Sequence, residues 1–230
     1  MSSTNSQENC PPVDLQQLNR VLRHKLRNLC AGVKMTVGRI AVQTAETMPT
    51  VAQRCKVVES EFDQLQAFTE RMDLLFDRLP AAKELPLFAL LTSLRDDFAK
   101  KFPLCQLDLE GPELAVNLKG GSLAKLALAE LLANAAEAAG QSGHARLAWG
   151  QDAGGGLVFG VENTGAAIAD SIPTNPPMPF FTTRGRHDGL GLAIVARVAA
   201  ARGGRFEVVS NQENHVAVAF ALPPEDIAHD

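Results

Sequence analysis

Three short stretches carry side chains of the right type and spacing to hold a phosphorylated ligand. "ELLANAAEA" sets Glu130 and Asn134 four residues apart, on one face of a helix otherwise made mostly of Leu and Ala. A carboxylate and an amide oxygen so placed can hold a hydrated magnesium ion, which takes one or two protein oxygens and leaves its other positions to water and phosphate. Taken alone, Asn134 suits a partly buried amide bonded to backbone equally well. "VENTGAAI" closes a strand-like run with Asn163 and Gly165, and the Asn163 amide oxygen could accept a hydrogen bond from the amino group of adenine. An ordinary turn has the same composition. "FFTTRGRHDGLGLAIV" sets Gly189 and Gly191 before an apolar helical run, so that backbone amides and the positive end of a helix dipole would be open to an anion. Arg184, Arg186 and His187 add cations beside it, although short glycine motifs also start helices that bind nothing.

A fourth stretch, "RVLRHKLRNLC", places His24 among Arg20, Arg23, Lys25 and Arg27, with Asn28 one helical turn further on the same face. By itself it fits a reactive histidine and a solvated basic helix face alike. Nearby cations favour the neutral imidazole and would stabilise a phosphorylated one.

The elements that must position these residues follow from hydrophobic spacing. From Val13 to about Ala45, Leu15, Leu18, Leu22, Leu26, Leu29, Val33, Val37 and Ile40 recur every three or four residues and predict one long helix. Pro49 interrupts it, Thr50 is placed to cap a successor, and the spacing resumes from Val51 to Leu79. A helical hairpin results, its helices on the order of 45 Å long at about 1.5 Å per residue. Two helices alone shield little of such a stripe, which predicts a homodimer built as a four-helix bundle.

"RLPAAKELP", with its two prolines, predicts a linker, and a second domain follows over 84–223. Its elements are the helix "LFALLTSLRDDFAKKF", short strands in "LCQLDLEG" and "ELAVNLKG", and a helix capped by Ser122 and stopped by Gly140. A hairpin of "HARLAWGQ" and "GLVFGVEN" comes next, then a lid-like loop from Thr164 to Asp188, a helix from "GLAIV", and the strands "RFEVVS" and "HVAVAFAL". The fold class is α+β, with a hairpin over 13–80, an α/β sandwich over 84–223, and tails at 1–12 and 224–230.

In order and spacing these segments resemble the nucleotide-binding boxes of histidine kinases, within the superfamily they share with gyrase. "ELLANAAEA" resembles the asparagine box, "VENTGAAI" the first glycine box, "PFFTT" the phenylalanine box and "GLGLAIV" the second glycine box, while the hairpin with "HKLRN" is similar to the dimerisation and phosphotransfer helices. The resemblance covers roughly Val13 to Leu222. It implies ATP held by Glu130, Asn134, Asn163, Gly165, Thr182, Thr183, Arg184, Gly189, Leu190, Gly191 and Leu192, with Mg2+ on Asn134 and Glu130. It further implies autophosphorylation of His24, positioning by Asn28, and transfer to an aspartate in the receiver domain of a response regulator, with regulator dephosphorylation as a reverse activity. The alternative it leaves open is a histidine phosphotransfer protein that relays phosphoryl groups and binds no nucleotide. The sequence departs from the family pattern at four places. Lys25 stands where many members carry a carboxylate base, Asn163 where an aspartate is common, Ala167 where a glycine is usual, and Asp188 where a serine or threonine is common.

The rest of the composition narrows the class. With 46% hydrophobic residues and a net charge of -4, the chain has the makings of a core and lacks the basic stripe that nucleic acid selects. Cys10, Cys30, Cys55 and Cys105 are too widely spaced for zinc or a redox dithiol and are expected to be reduced thiols. No apolar run is long enough to span a membrane. The expectation is therefore a cytoplasmic protein that receives its input from an upstream sensor protein.

Overall fold

The computed structural model describes residues 15–140, 142–172, 174–175, 177–183 and 187–229, so the tail expected over 1–12 lies outside the described residues. The chain divides into two compact units, Met1–Asp77 and Arg78–Asp230. In the first, α1 (Leu15–Thr44) and α2 (Pro49–Phe76) form the hairpin. Pro49 is the first helical residue of α2, where its missing N–H costs nothing, and Met48 precedes it without a side-chain cap. Thr50 therefore lies inside the helix and does not cap it.

The seam of the hairpin is not built from the leucine stripe. The residues buried along α1 are Arg23, Cys30 and Ala41, and they face Ala52 and Thr69 of α2. Small and polar groups let the helices approach, while Leu18, Leu22, Leu26 and Leu29 stay open, Leu29 at 58% exposure. An apolar stripe of this length facing water is the feature that a partner helix pair would cover.

The second unit is a two-layer α/β sandwich. Its main sheet has the order β2-β4-β5-β7-β6, made of β2 (Gln106–Glu110), β4 (His144–Gln151), β5 (Leu157–Asn163), β7 (His215–Leu222) and β6 (Arg205–Gln212). The β2 and β4 strands are parallel, and the other neighbours antiparallel. Three helices, α3 (Leu87–Lys101), α4 (Gly121–Ala139) and α5 (Gly191–Ala201), cover one face. Strand alternation turns Leu147, Leu157, Phe159, Val161 and Phe220 toward them, and the Phe159 and Phe220 rings stack with centroids 6.3 Å apart. Alanine-rich α4 meets the sheet at close range through Ala124, Ala127, Ala135 and Ala136. Gly140 ends it at a φ of 80°, as expected of a glycine stop.

Two expectations are corrected here. Ser122 is not the cap of α4: the helix starts at Gly121 behind Gly120, and the Ser122 hydroxyl accepts the Lys83 N–H at 2.8 Å while its own N–H donates to the Lys83 carbonyl. The sequence 224–230 is not simply a tail. The β8 strand (Ile227–His229) pairs with β3 (Val116–Leu118), which also pairs with β1 (Leu85–Pro86), so the C-terminal end and the linker prolines belong to one small sheet. Asp226, just before β8, is 5% exposed and takes both forks of the Arg202 guanidinium. Leu79 packs on the core of this unit, so the predicted linker is largely docked from Arg78 onward.

Candidate functional site

The second unit gathers the three chemistry-bearing stretches along α4. The first turn of α5 crosses at Asn134: a Cβ built on Gly191 would stand 2.9 Å from Asn134 Nδ2 and 3.2 Å from Glu130 Oε2. A Cβ there would have to displace the ends of these two side chains, and the close approach puts the amino end of α5 directly over the carboxylate and amide pair. One turn further along α4, a Cβ on Gly165 would run into the backbone of Ala138. Glycine is thus required where the chain leaving β5 presses on the helix. Asn163, the last residue of β5, lies in the inward phase of the strand and is 7% exposed. Its Nδ2 is buried with no hydrogen-bond partner among the described residues. Leaving a buried donor unpaired costs about 1–3 kcal/mol, which a ligand acceptor would recover.

The loop before α5 is fixed by backbone. The Phe180 N–H donates to the Gly189 carbonyl at 3.0 Å, and Phe180 and Gly189 both adopt positive φ, 69° and 67°. A side chain on Gly189 would meet the Phe181 carbonyl. Phe180, in a conformation uncommon for a large residue, is held by this turn. Thr182 and Thr183 follow on an exposed segment. Arg184 and Arg186 lie outside the described residues. Leu190 is fully buried and Leu192 partly so, which makes both side chains packing residues. Asp188 accepts the Leu190 N–H at 3.1 Å.

One pair escaped the sequence reading. His187 Nδ1 lies 3.2 Å from Glu137 Oε2, linking the loop to α4 on the turn after Asn134. The signal available was the three-residue step from Asn134 to Glu137, which puts both on one face. Glu130 and Asn134 offer hard oxygen donors suited to a hydrated magnesium ion, at the point where Gly191 approaches both side chains. Among the described residues no cluster of three or more metal-binding side chains occurs, so such an ion would keep several non-protein ligands.

In the first unit His24 is exposed on α1, and the Asn28 amide lies 3.3 Å from its Nε2. The cations around it are largely engaged elsewhere. Arg20 donates to Asp77 through Nε and Nη2 at 3.1 and 2.9 Å. Arg23 donates to Asp73 at 2.6 Å and to Asp77 at 2.5 Å, and Arg27 pairs with Asp73. The Arg20 guanidinium, with Arg23 behind it, holds the Asp77 carboxyl below the usual carboxylate range against the opposing effect of burial. Of the four cations expected near His24, the three arginines are thus paired with Asp73 and Asp77, and Lys25 is exposed.

Comparison with known proteins finds relatives for both units. Residues 121–226 match the family described as histidine kinase-, DNA gyrase B- and HSP90-like ATPase. The chain is 31% identical over 170 residues to the C4-dicarboxylate transport sensor protein DctB of Rhizobium meliloti (strain 1021), covering 74% of this chain and 27% of that one. It is 33% identical over 100 residues to the sensor histidine kinase ZraS of Escherichia coli (strain K12), covering 42% and 20%. The chain therefore spans about a quarter or less of the length of these relatives. Among solved structures, full-length ShkA in complex with AMPPNP superposes with a TM-score of 0.77 at 19% identity, covering 94% of this chain and 46% of that one. The nucleotide-free catalytic domain of the histidine kinase ThkA gives 0.54 at 25% identity, covering 63% and 97%. Residues 121–226 thus match an ATPase family that includes histidine kinases, and in this chain a helical hairpin precedes them.

Proposed function

We propose that this chain is the catalytic core of an ATP-dependent protein-histidine kinase acting as a cytoplasmic homodimer in two-component signalling. The observation that carries the reading is the convergence on α4: Gly191 over Asn134 and Glu130, Gly165 against Ala138, and a buried Asn163 with an unpaired donor between β5 and the helix. ATP would lie along this groove with its base toward Asn163 and its phosphates toward the amino end of α5. The backbone at Gly165, Gly189, Leu190, Gly191 and Leu192 would border it, and Thr182, Thr183 and Arg184 would come from the loop above. Asn134 and Glu130 would hold magnesium, whose chemistry is to neutralise the phosphate tail.

His24 is the phosphoacceptor in this proposal. With the Asn28 amide donating to Nε2 the imidazole proton resides on Nδ1, and that hydrogen bond is given up to free the Nε2 lone pair for attack. A phosphorus–nitrogen bond forms at Nε2 as the bridging bond to ADP breaks, and the Nδ1 proton passes to solvent. Lys25 cannot act as the base for that proton at neutral pH, so catalysis rests on positioning and charge stabilisation. The phosphoryl group would then pass to an aspartate in the receiver domain of a response regulator, and in dephosphorylation of that regulator Asn28 would orient the attacking water. The exposed stripe from Leu18 to Leu29 supports the dimer. An upstream sensor protein would supply the input.

The test is incubation of the purified protein and its His24→Gln variant with magnesium and γ-labelled ATP, followed by assay for acid-labile, base-stable label. Label on the parent alone is expected. A second reading is a relay protein, loaded at His24 by a phosphorylated partner, whose C-terminal unit binds no nucleotide. The Asp188 carboxylate at the amino end of α5 favours it. Absence of label together with absence of nucleotide binding would select that reading.

A further inference from the structure

The amino end of α5 already carries an anion of its own. Leu190, the residue before the first helical residue, has no side-chain partner capping the helix beyond it, yet its own N–H is taken by Asp188 Oδ1 at 3.1 Å. Gly189 makes this possible: at a φ of 67° it folds the chain back so that a side chain two residues upstream reaches the Leu190 amide. The helix dipole favours a negative group at this end, and the Asp188 carboxylate supplies one. On the facing helix Glu130 lies near Gly191, and two turns further along α4 Glu137 is matched by His187 at 3.2 Å.

We propose that Asp188 determines how the site discriminates between nucleotides by the charge of the phosphate tail. This rests on the reading that the groove along α4 takes a purine nucleotide. A phosphate oxygen seeking the Leu190 amide meets a carboxylate already bonded to it, and every added phosphate brings more negative charge toward Asp188. The base and ribose, which lie toward Asn163, are indifferent to this charge. The site therefore takes adenosine about as well as it would without Asp188, but gains less affinity on passing from adenosine to ADP than an uncharged residue would allow. Two unit charges about 6 Å apart repel by an amount worth about threefold in binding in bulk water, and about a hundredfold at an effective dielectric of about 20. Asp188 is half-buried, which sets the expected effect near tenfold.

The experiment is calorimetric titration of the full chain with adenosine, AMP, ADP and AMPPNP in magnesium chloride, for the parent, Asp188→Asn and Asp188→Ser. Asparagine keeps the shape and can still accept the Leu190 N–H; serine is the second variant should asparagine disturb folding, which circular dichroism reports. The expected result is about tenfold tighter ADP and AMPPNP with adenosine changed less than twofold. ADP bound by the parent but no tighter, or weaker, in both folded variants overturns this inference and leaves the nucleotide reading standing. No binding of adenosine or ADP by any of the three proteins overturns the nucleotide reading, and this inference with it.

Discussion

Arg23→Met tests how the hairpin is held at its open end. The Arg23 side chain is 3% exposed and bridges Asp73 and Asp77, which are 26% and 23% exposed. Removing one partner of a fully buried ion pair costs about 3–5 kcal/mol, because the other charge is left buried and unpaired. Here each carboxylate retains some water and a second arginine, Arg27 or Arg20, which reduces the loss to about 2–3 kcal/mol. Arg23 also carries a buried Nη1 with no partner among the described residues, and deleting it recovers about 1 kcal/mol. The net expectation is destabilisation of the helical unit by about 1–2 kcal/mol, with Arg23→Lys intermediate, since lysine keeps the charge but not the planar fork. The assay is urea unfolding followed by far-ultraviolet circular dichroism at one fixed protein concentration, because the proposed dimer would make stability concentration-dependent. A variant as stable as the parent would refute the reasoning and show that Arg23 is kept for something other than holding the two helices together.

Three further outcomes are expected. Gly191→Ala should lower nucleotide affinity by about tenfold or more with the unfolding midpoint of the second unit little changed, because its Cβ meets the flexible ends of Asn134 and Glu130 and not backbone. The folded-state pKa of Asp77 is depressed, so its stabilising contribution is complete above the ordinary carboxylate range and vanishes as pH falls through the folded value; helicity measured from about pH 5 to pH 2 should fall less steeply in Asp77→Asn. Gly160→Ala should raise the stability of the second unit by about 0.5–1 kcal/mol, since Gly160 sits mid-strand with open space where a Cβ would go. A lowered thermal midpoint for that variant would mean the outer face of the sheet is covered in solution.

What the sequence made legible was whatever depends on local period. The helices α1, α2, α4 and α5 and the β4–β5 hairpin announce themselves through spacing of three or four residues or of two, and Asn163 is buried because it ends an alternating run on the inward phase. The links between Asp73, Asp77 and the arginines of α1 were invisible for the opposite reason: the partners lie 46 to 57 residues apart, and only the pairing of the two helices brings them together. Read along α1 alone, Arg20, Arg23 and Arg27 look like a field around His24. The β8 strand was missed because three residues after a Pro-Pro pair carry no alternation; it exists because Leu118 offers Ile227 an edge and Arg202 anchors Asp226. Ser122 misled by composition, its hydroxyl being drawn to Lys83 across 39 residues.

The small sheet has a consequence for how this protein can be rearranged. Leu118 pairs with Leu85 on one side and Ile227 on the other, so the segments that open and close the second unit flank a single strand. Two neighbouring strand spacings of about 4.8 Å separate them by about 10 Å, a gap that a few glycine and serine residues can cross. The ATPase unit is thus topologically almost a ring. It should tolerate circular permutation, with new ends opened at the exposed turn around Ala153 and the old ones joined, and insertion whole into a surface loop of a host protein.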